Sequence, residues 1–358
     1  MTRIPSFFLL AIITLGVFSG CARDFEPYWR VDKLRLMAIK ADPVVAKQFE
    51  PVILSALVYA PDNAEIRYSW SWCPLRISAQ DDYECPLDEE EFGDFPLDLD
   101  LGTEPTATFV NPFSAEEVRQ FCEAIAAFLL EELDDPELAG LLPDFKCDQG
   151  YEISVRLQVE TDEESLVAAK RLTLWGGSEQ YNKNPELIDF QIRPREPEDL
   201  QLLLDQAGWE LPANADPDDH DDQWLSLSGD SGEEPLAILT GTPFEIRALV
   251  DPESVQTFLV APPIGQESQG PQEREEALVF RYFTTLGTFA GSRRLYSPIH
   301  QELDEAPITE LSVSENQFTE RCPEATDEDC LLQLWSVVRD GRLGVDWIER
   351  SLLVLEAQ

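Results

Sequence analysis

Alternation with a period of two is the most regular feature of the chain. Ile66, Tyr68, Trp70 and Trp72 take every second position, with Glu65, Arg67, Ser69 and Ser71 between them. Tyr151, Ile153, Val155, Leu157 and Val159 repeat the pattern against Glu152, Ser154, Arg156 and Gln158. Successive side chains on a strand point to opposite faces, so both stretches predict strands with one packed and one wet face. Leu34–Ala41 reads as an earlier strand and 43–51 as a turn. Val52, Leu54, Ala56 and Val58 mark a second strand, and Asp62-Asn63 the next turn. After a turn at 161–164, Leu172 and Leu174 begin a return strand ending near Trp175, and Gly176-Gly177 closes the unit.

The pattern then recurs. Leu187–Ile192 echoes Leu34–Ile39, and both are followed by proline. Phe244, Ile246, Ala248 and Val250 echo the second strand, and Leu278, Phe280 and Tyr282 echo Ile66, Tyr68 and Trp70. Leu331–Arg339, the turn signal Asp340-Gly341 and Val345–Leu355 read as a closing hairpin. One-sided antiparallel strands with a large aromatic on the third describe a β-sandwich, the aromatic filling the roughly 10 Å between its sheets. The fold expected is mainly β: two antiparallel sandwiches over 31–178 and 186–358.

Two insertions interrupt this pattern. In 75–148 the period changes to that of a helix. Ser114 stands three residues before Glu117, a capping box, and Val118, Phe121, Cys122, Ile125, Phe128 and Leu129 form one apolar stripe. Asp135-Pro136 suits the start of a second short helix, so 115–144 is expected to be helical and to cover one end of the sandwich. The second insertion, 194–235, is acidic. Leu200–Ala207 suits one or two helical turns, and the remainder to Asp230 reads as loop. Residues 262–276, rich in Gly, Pro, Gln and Glu, read as a surface loop.

Charge narrows the function. The 358 residues carry 26 basic against 70 acidic side chains, a formal net charge of −44. A field of that sign repels phosphate backbones and anionic head groups, which excludes nucleic acid as a partner. The acidity suits solubility in a salty medium. Seven cysteines are present. Setting Cys21 aside, Cys73, Cys85, Cys122, Cys147, Cys322 and Cys330 read as disulfides, in chain order Cys73–Cys85, Cys122–Cys147 and Cys322–Cys330. Zinc is disfavoured, because no CxxC pair occurs and the two histidines, His220 and His300, are isolated.

Export is written at the start. Arg3 precedes an apolar run from Phe7 to Phe18, about a dozen residues long. That is short of the roughly 20 a bilayer core needs and fits a signal-peptide core. The ending Phe18-Ser19-Gly20-Cys21 resembles the lipobox of bacterial lipoproteins, with Phe18 where a leucine-like residue is usual. The resemblance implies that 1–20 are removed, that Cys21 is acylated, and that 21–30 form a tether to a membrane. Ala22 then suggests the outer membrane. Trp29 is expected to rest on the first sandwich. Leu34–Asp42, Val52–Pro61, Ile66–Pro74 and Thr106–Pro112 resemble immunoglobulin-like domains of bacterial surface lipoproteins, without the usual inter-sheet disulfide.

Chemistry is sparse. Gly229-Asp230-Ser231-Gly232 coincides with the nucleophile motif of trypsin-like proteases, but Glu233-Glu234 follow, and His220 sits only eleven residues upstream in an acidic loop. No catalytic residue is assigned. Asp216, Asp218, Asp219, Asp221 and Asp222 are hard oxygen ligands that would suit Ca2+, yet they lack EF-hand spacing, so a solvated loop is expected and no cofactor is assigned. Asp88–Glu91 is a weaker cluster of the same kind. Trp175, Trp209 and Trp224 are candidates for exposed sugar-binding rings, although core or loop-anchoring roles are expected for them. The reading is a lipid-anchored envelope protein, non-catalytic, that binds an envelope or extracellular protein. The alternatives are a carbohydrate-binding module and a secreted hydrolase with an unrecognised carboxylate site.

Overall fold

The computed structural model describes residues 27–86, 98–132, 147–179, 181–213, 215–227, 234–260, 270–323 and 330–357. Cys21, the signal segment, Asp88–Glu91, the Asp135-Pro136 helix start and Gly229–Gly232 lie outside the described residues.

Among the described residues of the first half, eight strands make two sheets. They are β1 (Arg35–Asp42), β2 (Val45–Ala46), β3 (Pro51–Tyr59), β4 (Arg67–Cys73), β5 (Asp100–Gly102), β6 (Thr106–Val110), β7 (Tyr151–Glu160) and β8 (Ser165–Leu174). One sheet runs β1-β3-β6 and the other β2-β8-β7-β4-β5. The alternating residues behave as their spacing requires: Trp70, Ile153, Val155, Leu157, Val159, Leu54 and Phe109 meet between the sheets in one core. Residues 43–51, expected to be a turn, contain β2, which pairs parallel with the far end of β8. Two residues are too few to register in a hydropathy pattern. The return strand also begins at Ser165, ahead of the expected Leu172.

The second half comprises β9 (Leu187–Pro194), β10 (Leu225–Ser226), β11 (Ala237–Leu239), β12 (Pro243–Val250), the hairpin β13 (Thr257–Val260) and β14 (Gln272–Glu275), β15 (Leu278–Thr284), β16 (Thr288–Phe289), β17 (Arg293–Tyr296), β18 (Thr309–Ser312), β19 (Leu331–Arg339) and β20 (Val345–Leu355). Its sheets run β10-β9-β12-β18-β16 and β11-β20-β19-β15-β17. β11 lies parallel to the last strand β20 just as β2 lies parallel to β8. The duplication legible in the sequence is therefore a duplication of topology, of immunoglobulin type. Trp70 and Tyr282 occupy equivalent places, both fully buried. Each gives its polar tip to a backbone carbonyl two residues before an equivalent strand of the facing sheet, β6 or β18: Trp70 Nε1 to Glu104 O at 3.0 Å, and Tyr282 Oη to Pro307 O at 2.6 Å. Ring burial on this scale contributes about 4–6 kcal/mol, and the bond removes the penalty of burying the tip.

The helices are additions to the sheets, and the first is the longest of those described. α1 (Ala115–Glu132) starts where the capping box predicts: Ser114 N–H donates to Glu117 Oε2 at 2.7 Å, and Glu117 N–H to Ser114 Oγ at 3.3 Å. Val118 and Cys122 are buried, while Phe121 meets Tyr151 edge-on at 4.9 Å. Disulfides join Cys73–Cys85, Cys122–Cys147 and Cys322–Cys330. α2 (Leu200–Gln206) buries Leu200 and Leu203 in the second core, and α3 (Glu315–Arg321) carries a complete capping box at Ser314.

Three further segments depart from expectation. β14 falls where a surface loop was expected; Gln272–Glu275 is exposed throughout, so it has no apolar face for a pattern to detect. The acidic insertion ends in a short helical turn, His220–Gln223, and in β10, which adds to the edge of β9. Trp29 packs on the second sandwich, edge-on to Phe289 at 5.7 Å, and not on the first. Backbone pairing carries it there: Val31 N–H donates to Thr284 O at 2.8 Å and Thr284 N–H to Trp29 O at 3.0 Å.

Candidate functional site

The two sandwiches meet along β1, β8 and the turn between β19 and β20. An apolar patch joins them, with Val31, Met37, Ala38 and Leu57 against Phe283, Trp335, Val337 and Val345. Polar bonds frame it. Lys40 Nζ pairs with Asp346 Oδ1 at 2.9 Å. Asn184 donates from Nδ2 to Ala41 O and accepts from Val345 N–H, both at 2.9 Å.

Beside this patch lies a cleft of about 330 Å3, walled by Leu36–Ile39 of β1, Ala168–Arg171 of β8 and the turn residues between Arg339 and Val345. Three cations line it: Lys170, Arg171 and Arg339. Lys170 stands opposite Val155 in the β7–β8 register, in the row that contains Ala168 and Leu172, so it occupies a core-facing position. Its ammonium reaches the second sandwich and donates to Leu343 O. Arg339 does the reverse, donating from a terminal nitrogen to Met37 O at 2.6 Å. Burial pushes the Lys170 ammonium down to about 8, with Asp340 opposing the shift. Burial also pushes Arg339 down to about 10, helped by the like charge of Arg281.

Of the other cations nearby, Arg171 pairs with Glu152 at 3.1 Å and Arg342 Nε with Glu276 Oε1 at 2.7 Å, while Arg281 lies over the Tyr28 ring. The ion pairs among the described residues include neither Lys170 nor Arg339. Asp340, the acid of the turn, is already engaged. Its Oδ1 accepts from Arg342 N–H at 2.7 Å and Gly344 N–H at 2.8 Å, and its Oδ2 from Asn182 Nδ2 at 2.8 Å. A Cβ at Gly344 would sit 2.1 Å from that Oδ2, so only glycine lets the turn close. The hidden signal in the sequence is Lys170 itself, a lysine set in the row Leu166, Ala168, Leu172 and Leu174.

The sequence-predicted candidates are elsewhere. The aspartates of the acidic insertion cap their own turns: Asp216 Oδ1 accepts from Asp218 N–H, Asp219 Oδ1 from Asp221 N–H, and Asp222 Oδ2 from Asp216 N–H. Asp221 pairs with Arg193 at 3.0 Å. Among the described residues no group of three or more metal-ligating side chains converges. Trp209 is buried and donates to Ala237 O at 2.6 Å. Trp224 is flanked by Arg193 and Arg247, whose guanidinium carbons lie 4.4 and 4.2 Å from its centroid. Trp175 donates to Ser178 O and has Lys47 at 5.8 Å. All three serve as loop or core anchors. The His220 ring Nε2 meets Pro194 O at 3.0 Å, which ties it to the end of β9, and His300 is exposed.

No family model matches the chain. No curated protein matches either. Solved structures similar over most of the length include three N-terminal domains of the bacteriophage RB49 outer capsid protein Hoc, at 10% identity and a TM-score of 0.19, covering 91% of this chain and 71% of that one. The Bacteroides ovatus glucan-utilisation protein SGBP-B, complexed with a mixed-linkage heptasaccharide, gives 7% identity and 0.18, with the same coverage. The insect immune protein hemolin gives 11% and 0.16, covering 89% and 78%. At these scores the likenesses carry no argument about this chain.

Proposed function

We propose that the chain is a lipid-anchored, non-catalytic binding module of the cell envelope, whose partner is an envelope or extracellular protein that adds an extended segment to β6. The carrying observation is the presentation of Phe49. This residue is 70% exposed and holds a left-handed φ of 59°, a conformation that costs a bulky side chain energy. Its N–H donates to Asn111 O at 2.9 Å, one residue past β6, and Val110 of β6 and Ile53 of the adjoining β3 are exposed as well. β6 is the edge of its sheet and pairs only with β3 among the described residues. An open edge flanked by apolar side chains is the geometry of strand addition.

The short-loop disulfides support an oxidising compartment. Engagement of Trp175, Trp209 and Trp224 in loops and core favours a protein partner over a sugar. The test is crosslinked capture from intact envelopes, with mass spectrometry of the N-terminal peptide. Expected are a diacylated or triacylated Cys21 and a captured protein lost on Val110→Pro together with Phe49→Ser. Capture unaffected by those changes would refute the edge, and an intact residue 1–20 segment would refute the anchor.

A further inference from the structure

We propose that the cleft between the sandwiches binds a small carboxylate-bearing ligand, its anionic group held by Lys170 and Arg339 and its body lying against Leu36, Met37 and Leu343. This goes beyond the β6 reading and involves a different surface.

Charge supply makes the case. With 70 acidic side chains against 26 basic, a carboxylate partner is the commonest thing this chain could offer a buried cation. Arg171, Lys40, Arg342 and Arg193 around the same two sandwiches all have one. Lys170 and Arg339 instead donate to the carbonyls of Leu343 and Met37. A carbonyl takes up one donor and none of the charge, so each cation keeps donors for an oxyanion. Both cations are part-buried, Lys170 has only the already engaged Asp340 as a nearby counter-charge, and a poorly compensated charge in such a place costs stability. An anion arriving from outside would relieve that cost.

The rest of the lining selects the body. Leu36, Met37, Ile39, Ala168 and Leu343 are apolar, and a volume of about 330 Å3 is at the small end for ligand pockets. A single charged group on a compact, weakly polar frame fits; a polyanion would meet Asp340 and the strongly negative surface beyond. Reciprocal anchoring, each cation held by the other sandwich's backbone, keeps both donors in place before binding.

The test is isothermal titration of the folded exported chain with sodium benzoate, D-glucuronate, inorganic phosphate and neutral D-glucose. Expected is saturable one-to-one binding of benzoate or glucuronate, with phosphate and glucose weaker by about tenfold or more. Lys170→Met should abolish that binding without lowering stability, Arg339→Gln should do the same, and Lys170→Arg should keep most of it. Since both Lys170 variants lose the native packing of the lysine stem, a merely structural role would weaken binding in both. Absence of saturable carboxylate binding would overturn the proposal, as would phosphate binding equally well or Lys170→Met binding like the parent. Chemical turnover of the bound acid would instead refute the non-catalytic reading and leave the site standing.

Discussion

Glu276 and Arg342 form an asymmetric pair whose two halves should respond unequally to removal. The Glu276 side chain is 2% exposed and that of Arg342 24%. Arg342 Nε donates to Glu276 Oε1 at 2.7 Å, and the guanidinium lies 4.2 Å from the Phe258 centroid, joining the β13–β14 hairpin to the β19–β20 turn. At an effective dielectric constant of 20, attraction over that distance is about 6 kcal/mol. Burying two ions costs several kcal/mol each, so the pair comes out near zero. The carboxyl itself reflects this: burial raises its pKa despite the opposing pull of Arg342. Glu276→Gln, which keeps the shape and removes the buried charge, should therefore cost less than about 1 kcal/mol. Arg342→Met strands the carboxylate and should cost about 3–5 kcal/mol near neutral pH. The sign with pH follows from the raised pKa. Stability from the protonated acid is fully present below the unfolded-state pKa and is lost as pH rises through the folded-state value. Urea unfolding of Arg342→Met should show a smaller deficit at about pH 5 than at about pH 8. Equal costs for the two variants, or a deficit that grows on acidification, would refute the reasoning.

Other predictions are simpler. Lys170→Met should be more stable than the parent by about 1–2 kcal/mol near neutral pH, the released burial cost exceeding the lost bond to Leu343 O. Because the folded ammonium titrates at about 8 and the unfolded one near 10.5, parental stability rises over that interval. Thermal melts should show the gap closing toward about pH 10. Ser114→Ala removes the start of α1 and should cost about 1 kcal/mol in chemical denaturation. Replacing Cys122 and Cys147 by alanine opens a bridge spanning 25 residues and should cost about 3 kcal/mol, while thiol labelling of the folded parent should find none of the six paired cysteines.

What could be read from the residues was whatever buries an apolar face. Trp70 and Tyr282, Val155 and Phe244 announce their strands because water and core demand opposite chemistries on alternating positions. β14 has no buried face, and β2, β10 and β16 have two residues each; their pairing is decided by neighbours distant in sequence. Local signals served helices well, since Ser114 and Glu117 are self-contained. The cleft was not legible. Lys170 interrupts the apolar row Leu166, Ala168, Leu172 and Leu174, but only the register with β7 gives that oddity a place, and Arg339 gains its meaning only when Met37, some 300 positions earlier, comes alongside. Trp29 was misplaced for the same reason: sequence proximity to β1 suggested the first sandwich, but the pairing with Thr284 decides.

That crossing of Trp29 and Val31 onto Thr284 before β1 begins has a mechanical consequence. Any pull transmitted through the chain upstream of Pro27 arrives at the middle of the molecule, not at one tip. It loads the bonds between Val31, Trp29 and Thr284 before it can reach either sandwich interior. Were the chain held from that side, the load would fall first on the seam between the sandwiches, next to the bond from Arg339 to Met37 O.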